Sequence, residues 1–178
     1  MQPTESAVLA AVPEAEPAVA ALRARLDSSA AQGVPAHVTV LYPFVHPDRL
    51  GPKVIDALAE AVASAAAFAM SFRQVGWFGE DVLWLAPDPA GPFHALNQAV
   101  WDRFPDHPPY GGEIANVVPH LTVGAGQPVA ELRAAALAVE PHLPVKARIL
   151  VADLWLGSAE PDSWHAVASL PLGRDCIR

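Results

Sequence analysis

The sequence predicts an α+β fold in which two similar sheet-and-helix lobes flank a central cleft. Two observations support this prediction. Short apolar or β-branched segments alternate with segments of helical period along the whole chain. The order strand, helix, strand, helix and further strand also occurs once in each half. We therefore treat residues 1–178 as one domain with lobe-forming repeats at roughly 1–80 and 81–178, and an exchange of terminal strands between the lobes stays open.

The first half contains three strand-like and two helix-like segments. Val19, Leu22 and Leu26 recur at helical spacing, and Pro17 and Pro52 suit the first turns of their helices. The strand-like segments are apolar or β-branched, and the one at 35–44 alternates in polarity. The predicted elements are a strand at 6–12, a helix at 16–27, a strand at 35–44, a helix at 51–67 and a strand at 68–78.

The second half repeats this rhythm with a longer connection. Phe93, Leu96 and Val100 form one helical face, and a segment rich in Gly and Pro follows that helix as a loop. The predicted elements are a strand at 81–87, a helix at 91–104, a loop at 106–113, a strand at 116–124, a helix at 128–139 and closing strands at 145–157 and 163–173.

The composition indicates a globular protein and argues against several classes. Hydrophobic residues make up 52% and charged residues 17% of the chain. No apolar run reaches the roughly 18 residues that a membrane helix needs. The net charge of −8, with no basic block, argues against an extended nucleic-acid groove. Neither a Walker motif nor a Gly-x-Gly-x-x-Gly motif is present.

The cysteine content and the N-terminal segment point to the cytoplasm. Cys176 is the single cysteine of the chain, so an internal disulfide is impossible. The Ala-rich segment near the N-terminus lacks a basic leader and is interrupted by Glu14 and Glu16, unlike an export signal. We expect a cytoplasmic monomer.

Two short phrases carry the chemistry, "HVTV" at 37–40 and "HLTV" at 120–123. Because side chains alternate between the two faces of a strand, His37 and Thr39 share one face, and His120 and Thr122 share one face in the second copy. The apolar residues between them then face the core. We call the His37–Thr39 pair the first motif and the His120–Thr122 pair the second motif.

Two histidines and two threonines facing one cleft provide acid–base chemistry on a phosphate. Imidazole titrates near neutrality, so one ring can accept a proton while the other donates one. Threonine hydroxyls can hydrogen-bond phosphate oxygens. Two histidines alone are too few for a zinc site, so we expect no metal and no cofactor. A surface strand, a structural duplication without a ligand and a non-catalytic module that binds a nucleotide or RNA end stay open as alternatives.

The paired motifs, one in each half of a chain of this size, resemble those of the 2H phosphoesterase superfamily. This superfamily includes bacterial 2′-5′ RNA ligase-like proteins and cyclic nucleotide phosphodiesterases. The resemblance implies a bilobal α+β fold with a central cleft. It also implies that His37 and His120 are catalytic and that Thr39 and Thr122 bind the phosphate, with the roles of base and acid unassigned.

The activity implied by the resemblance is hydrolysis of a 2′,3′-cyclic phosphate to a 2′-phosphate, or cleavage and joining of 2′-5′ linkages. The partner would be a small cyclic nucleotide or an RNA terminus, and not an extended duplex. Two aromatic residues are further candidates for substrate contact, Phe44 after the first motif and Tyr110 in the 106–113 loop. The alternatives are that Phe44 fills the core and that Tyr110 belongs to a plain surface loop.

Overall fold

The computed structural model describes residues 2–114 and 116–174, so Cys176 lies outside the described residues. The described residues form five α-helices and eight strands, with a short second helix directly after the first. The helices are α1 (Glu16–Leu26), α2 (Ser28–Ala31), α3 (Pro52–Ser64), α4 (Gly91–Arg103) and α5 (Val129–Val139). The strands are β1 (Glu5–Ala11), β2 (His37–Leu41), β3 (Phe68–Phe78), β4 (Val82–Asp88), β5 (Leu121–Ala125), β6 (Val145–Ile149), β7 (Val151–Gly157) and β8 (His165–Pro171).

The strands form two antiparallel sheets of four strands each, which confirms the predicted α+β fold with two lobes. The first sheet has the order β2-β1-β7-β8, and the second sheet has the order β5-β4-β3-β6. Strand β3 follows the first motif along the chain but pairs in the second sheet. Strands β7 and β8 follow the second motif but pair in the first sheet. Each sheet therefore contains strands from both halves of the chain.

Each half of the chain also contributes helices to both sheets. Helices α3 and α4 pack against the first sheet, whereas α1 and α5 pack against the second. Gly124 of β5 makes the close approach of α1 and α5 possible, because a Cβ at this position would lie 2.8 Å from atoms of both Leu26 and Leu132. Among the residues that the structure describes, no helix is both long and apolar enough to cross a membrane.

One continuous apolar core connects the two sheets and their helices. Its largest fully buried side chains come from both halves, and they include Phe72, Leu58, Leu96, Leu121 and Leu154. A smaller cluster lies on the opposite face of the first sheet, where Ala7 and Leu9 pack with Val34 and Trp164. This opposite face is the one that carries the first motif.

Several elements differ from the sequence prediction. The segment 145–157 forms two strands in different sheets, separated at the exposed Leu150. The prediction missed this change of sheet because no glycine or proline interrupts the segment before Gly157. The predicted strand at 116–124 begins only at Leu121. Helix α2 has four residues, too few to show a helical period in the sequence.

The pairing beside the two motifs repeats in detail. Leu9 of β1 lies opposite Thr39, and Trp84 of β4 lies opposite Thr122. In each pair of strands the register shifts immediately before that residue, between Val8 and Leu9 and between Leu83 and Trp84. The duplication therefore includes an irregularity of the ladder, which gives both threonines the same place in their sheets.

Candidate active site

The first motif lies at the start of β2, and its side chains alternate as predicted. Val38 and Val40 are buried in the core, whereas His37 and Thr39 are half-buried on the other face. Branched residues favour this extended, half-buried strand. The polar pair of the first motif therefore stands on a face that borders solvent.

The second motif repeats this arrangement at β5. Leu121 and Val123 are fully buried, and Thr122 is half-buried on the other face. His120 directly precedes the strand and is also half-buried. Strands β2 and β5 form the adjacent edges of the two sheets and contact each other. The fold therefore brings the two motifs side by side.

Both imidazoles are oriented by the same backbone contact. Nδ1 of His37 lies 2.8 Å from the carbonyl oxygen of Pro35, and Nδ1 of His120 lies 2.7 Å from that of Val118. A carbonyl oxygen only accepts, so Nδ1 carries the hydrogen in both rings. In the neutral ring Nε2 is then left with the lone pair, and it is the nitrogen free to exchange protons with a ligand.

Burial lowers the pKa of both histidines. For His37 burial is the main cause, the nearby charges of Arg23 and His120 lower the pKa further, and the pKa falls to about 4 although the carbonyl of Pro35 and the charge of Asp27 raise it. For His120 burial also lowers the pKa, and its backbone hydrogen bond opposes that shift.

A buried ion pair supports the approach to His37. Arg23 is 2% exposed, and its Nη2 lies 2.9 Å from Oδ2 of Asp27. The same nitrogen donates to Ser29 Oγ at 3.1 Å and to the carbonyl of Val34 at 3.2 Å. Val34 lies three residues before His37, so the guanidinium holds the segment that leads into the first motif.

Two neighbouring cavities flank the motifs. The first cavity has a volume of about 320 Å³ and is lined by Glu5, Ala7, Leu9, Ser29, Gln32, Val34, His37, Thr39, Tyr42, Ala159 and Trp164. The second cavity has a volume of about 530 Å³ and is lined by Phe78, Val82, Tyr110, Ile114, Asn116, Val117, Val118, His120, Thr122 and Ala125. Neither set of lining residues includes a lysine or an arginine, so a bound phosphate would depend on the motif side chains.

Tyr110 connects the two motifs. Its hydroxyl shares a hydrogen bond with the hydroxyl of Thr39, while its ring lines the second cavity with His120 and Thr122. Its backbone N–H donates to the carbonyl of Tyr42 at 2.7 Å, and its φ of 51° turns the loop at this point. Burial raises the pKa of Tyr110, so the phenol stays protonated at neutral pH. The 106–113 loop therefore reaches from the second half of the chain to the first motif.

Phe44 lies in the core and does not reach either cavity. It is 5% exposed, and its ring packs edge-on against Phe104 with 4.9 Å between the centroids. The expectation that it contacts the substrate is therefore wrong, because the ring is enclosed by its neighbours. Its place after a motif strand did not reveal that the chain turns inward there.

Aromatic rings surround His120, which the sequence reasoning missed. Phe78 is 37% exposed and stacks on Trp84 at 4.9 Å, and its ring meets the His120 imidazole edge-on at 5.0 Å. Gly76 allows Trp84 to lie flat on β3, since a Cβ there would come within 2.4 Å of the indole. The strand pairing that places Trp84 beside Thr122 is the signal that would have identified this group.

The described residues offer no ligand set for a metal ion. Within residues 2–114 and 116–174, no group of three or more histidine, cysteine, aspartate or glutamate side chains is arranged to hold one. The chemistry that the site offers with its own side chains is therefore proton transfer by the imidazoles and hydrogen bonding by the hydroxyls.

Comparison with known families and structures identifies relatives of the chain. The model of a family described as the 2′-5′ RNA ligase superfamily matches residues 11–160. No curated protein matches the chain. The matched residues include both motifs and the whole lining of the second cavity, whereas Glu5 and Trp164 of the first cavity lie outside them.

Several solved structures share the fold. TT0787 of Thermus thermophilus superposes with a TM-score of 0.65 and 17% identity, covering 96% of this chain and 99% of that one. E. coli LigT in its apo form gives a TM-score of 0.61 and 14% identity, covering 98% and 100%. E. coli LigT complexed with 3′-AMP gives 0.62 and 14%, covering 96% and 99%. At these identities the likeness concerns the fold.

Proposed function

The chain belongs to the 2′-5′ RNA ligase superfamily, and from this premise we propose that it is a metal-independent phosphodiesterase that acts by two-histidine acid–base catalysis. The family match confirms the resemblance to the 2H phosphoesterases. The proposed reactions are hydrolysis of a 2′,3′-cyclic phosphate and cleavage or joining of a 2′-5′ linkage. The proposed substrate is a small cyclic nucleotide or an RNA terminus.

One observation carries the proposal: two equivalent His–Thr units lie at β2 and β5, the edge strands through which the two sheets contact each other. Both imidazoles direct Nδ1 to the carbonyl two residues before and keep Nε2 for a ligand. Tyr110 joins the units, because it bonds to Thr39 and lines the cavity of His120. A phosphate between the units would accept hydrogen bonds from both threonines and meet an imidazole on each side.

The surroundings favour His37 as the base and His120 as the acid. The pKa of His37 is about 4, so its imidazole is neutral at physiological pH and can accept a proton from an attacking water. The charge of Arg23 lowers the pKa of His37 and that of its ion-pair partner Asp27 raises it, whereas the pKa of His120 is lowered by burial. A bound phosphate would favour the protonated form of His120, which would then donate its proton to the leaving oxygen.

The size and charge of the site favour a substrate with a single phosphate. The cavities of about 320 and 530 Å³ are of nucleotide size, and their lining lacks lysine and arginine. LigT has been solved with 3′-AMP, with ATP and with NADP+, which supports a small nucleotide ligand for this chain without fixing its number of phosphates. The net charge of −8 likewise favours a small ligand over a polymer.

Turnover of small substrates in EDTA tests the proposal. The purified protein is given 2′,3′-cyclic nucleotides, ADP-ribose 1″,2″-cyclic phosphate and a 2′-5′ dinucleotide, and products are followed by chromatography. We expect turnover of at least one substrate in the presence of EDTA. Alanine at His37 or at His120 should lower kcat/KM by about 10²-fold or more, because each removes one proton-transfer group.

His165→Ala is the matched control. His165 also begins a strand and also has Nδ1 near the carbonyl two residues before it, at 3.2 Å, but it lies outside both motif cavities. It should keep kcat/KM within about twofold. Loss of activity in EDTA would contradict the metal-independent mechanism. No turnover of any substrate, with nucleotide binding retained in both motif variants, would instead support a non-catalytic binding module.

A further inference from the structure

We propose that the first cavity binds a nucleobase that carries amino hydrogen-bond donors, and that Glu5 selects it. This inference rests on the proposed function, because a phosphate held between the motifs would place the attached nucleoside beside one of them. The two cavities differ in their lining residues as well as in their volume. We therefore assign a different part of the ligand to each cavity.

The position of Glu5 follows from the strand. Leu9 lies opposite Thr39, and Ala7 and Glu5 follow on the same face of β1. Glu5 is four residues from Leu9, about 13 Å along an extended strand. The small side chain of Ala7 leaves an apolar floor between them. A nucleoside whose phosphate bonds to Thr39 would lie along this floor with its base edge towards Glu5.

The carboxylate is held in place and is ready to accept. The hydroxyl of Tyr42 donates to Oε2 of Glu5 at 2.8 Å. Burial, together with this hydrogen bond, raises the pKa of Tyr42 to about 12, so the phenol remains a donor. A carboxylate oxygen can accept more than one hydrogen bond, and Oε1 is the further acceptor. Glu5 therefore offers acceptor atoms to a ligand in the first cavity, which it lines together with Ala7 and Leu9.

The cavity walls suit a flat, uncharged group. Trp164 is 9% exposed and meets Tyr42 edge-on with 6.4 Å between the ring centroids. The backbone N–H of Trp164 donates to the carbonyl of Gln32 at 2.9 Å, and this bond joins two residues that line the first cavity. The lining contains the anionic Glu5 and no lysine or arginine, so a second phosphate would be repelled. An aromatic base is flat and uncharged, and donors on its edge can bond to the carboxylate of Glu5.

The second cavity lacks these features. At the place that corresponds to Leu9 stands Trp84, and four residues before it stands Glu80. Glu80 is exposed and pairs with Arg133 at 2.8 Å, away from the second cavity. The wall of that cavity is aliphatic apart from Phe78, Tyr110, Asn116 and the second motif. Selection by a carboxylate is therefore specific to the first cavity.

Binding of matched nucleotide pairs tests this proposal without turnover. Dissociation constants are measured by calorimetry for cytidine against uridine 3′-monophosphate and for guanosine against inosine 3′-monophosphate. Both pairs are matched in ring size. Guanosine differs from inosine only by its amino group, whereas cytidine has an amino group and an N3 acceptor where uridine has a carbonyl oxygen and an N3–H donor. We expect the amino-bearing member to bind about tenfold more tightly in at least one pair, since hydrogen bonds to a charged group are the stronger ones.

The variant Glu5→Gln should reduce this preference to about twofold or less. Its amide oxygen can still accept from Tyr42, so the fold is kept, and thermal unfolding verifies this. Glu80→Gln is the matched control and should keep the wild-type preference. Equal affinity within both pairs, a preference that Glu5→Gln retains, or no binding of any nucleotide would overturn the proposal. Turnover without a preference refutes only this inference, whereas a preference without turnover refutes only the proposed function.

Discussion

The two motifs have the same core geometry but different surroundings. Each imidazole bonds to the carbonyl two residues before it, and each threonine lies opposite a residue that follows a register shift. The segment that precedes His37 accepts a hydrogen bond at the carbonyl of Val34 from the buried Arg23. His120 is approached by a loop that is largely exposed and is flanked by the ring of Phe78. The repeated part is the orientation of the groups that would touch a phosphate.

This difference separates two requirements of acid–base chemistry. Equal orientation allows either imidazole to reach a phosphate, but a base and an acid need different proton affinities. Burial is the main cause that lowers the pKa of His37 to about 4, and the charges of Arg23 and Asp27 act on it in opposite directions; burial also lowers the pKa of His120, against its backbone hydrogen bond. On the proposed assignment, a duplicated geometry in two unlike environments would give the two copies of the motif different roles.

The largest effect should come from the buried ion pair of the first half. Arg23→Met leaves Asp27 buried without its cation, and we expect the free energy of unfolding to fall by about 3–5 kcal/mol. Arg133 lies in the second half and forms an exposed ion pair with Glu80. Arg133→Met breaks this pair and should lower the free energy of unfolding by about 0–1 kcal/mol. Urea unfolding followed by circular dichroism measures both. Equal losses of unfolding free energy in the two variants would contradict a larger contribution from the buried pair.

The sequence was sufficient to predict the alternation in the motif strands. A period of two is visible over four residues, so the faces of His37 and Thr39 could be assigned before their surroundings were known. The fold class followed in the same way from the alternation of strands and helices. The division of the chain into sheets could not be predicted, because no glycine or proline divides 145–156 although this segment supplies strands to two sheets.

The residues that distinguish the two sites were out of reach of the sequence. Glu5 and Arg23 come to the first motif through the pairing of β1 with β2 and the packing of α1, which are contacts over long sequence distances. Phe44 shows the converse error, since it is adjacent to the motif in sequence yet packs against Phe104 in the core. The motif pattern thus identified the candidate reactive groups. Sequence proximity did not identify the residues that surround them.

The second prediction concerns pH. His37 must be neutral to act as base, so kcat/KM should fall as the pH drops towards its pKa of about 4. His120 must be protonated to act as acid, and burial lowers its pKa below the ordinary 6.5, so kcat/KM should fall as the pH rises above 6.5. The profile of the free enzyme should have its maximum between about pH 4 and 6.5, with each limb approaching tenfold per pH unit. A maximum above about pH 7.5 would contradict the assigned roles.

The smallest effect tests whether the two motifs act as one unit. Tyr110→Phe removes the hydroxyl that bonds to Thr39 but keeps the ring in the second cavity, so we expect kcat/KM to fall about tenfold. Thr39→Val removes the other member of the hydrogen bond. If the bond positions Thr39 on the phosphate, the double variant should lose little more than Thr39→Val alone, whereas independent contributions would multiply. Non-additivity, measured as kcat/KM for the four proteins, would mean that a residue of the second half completes the phosphate site of the first.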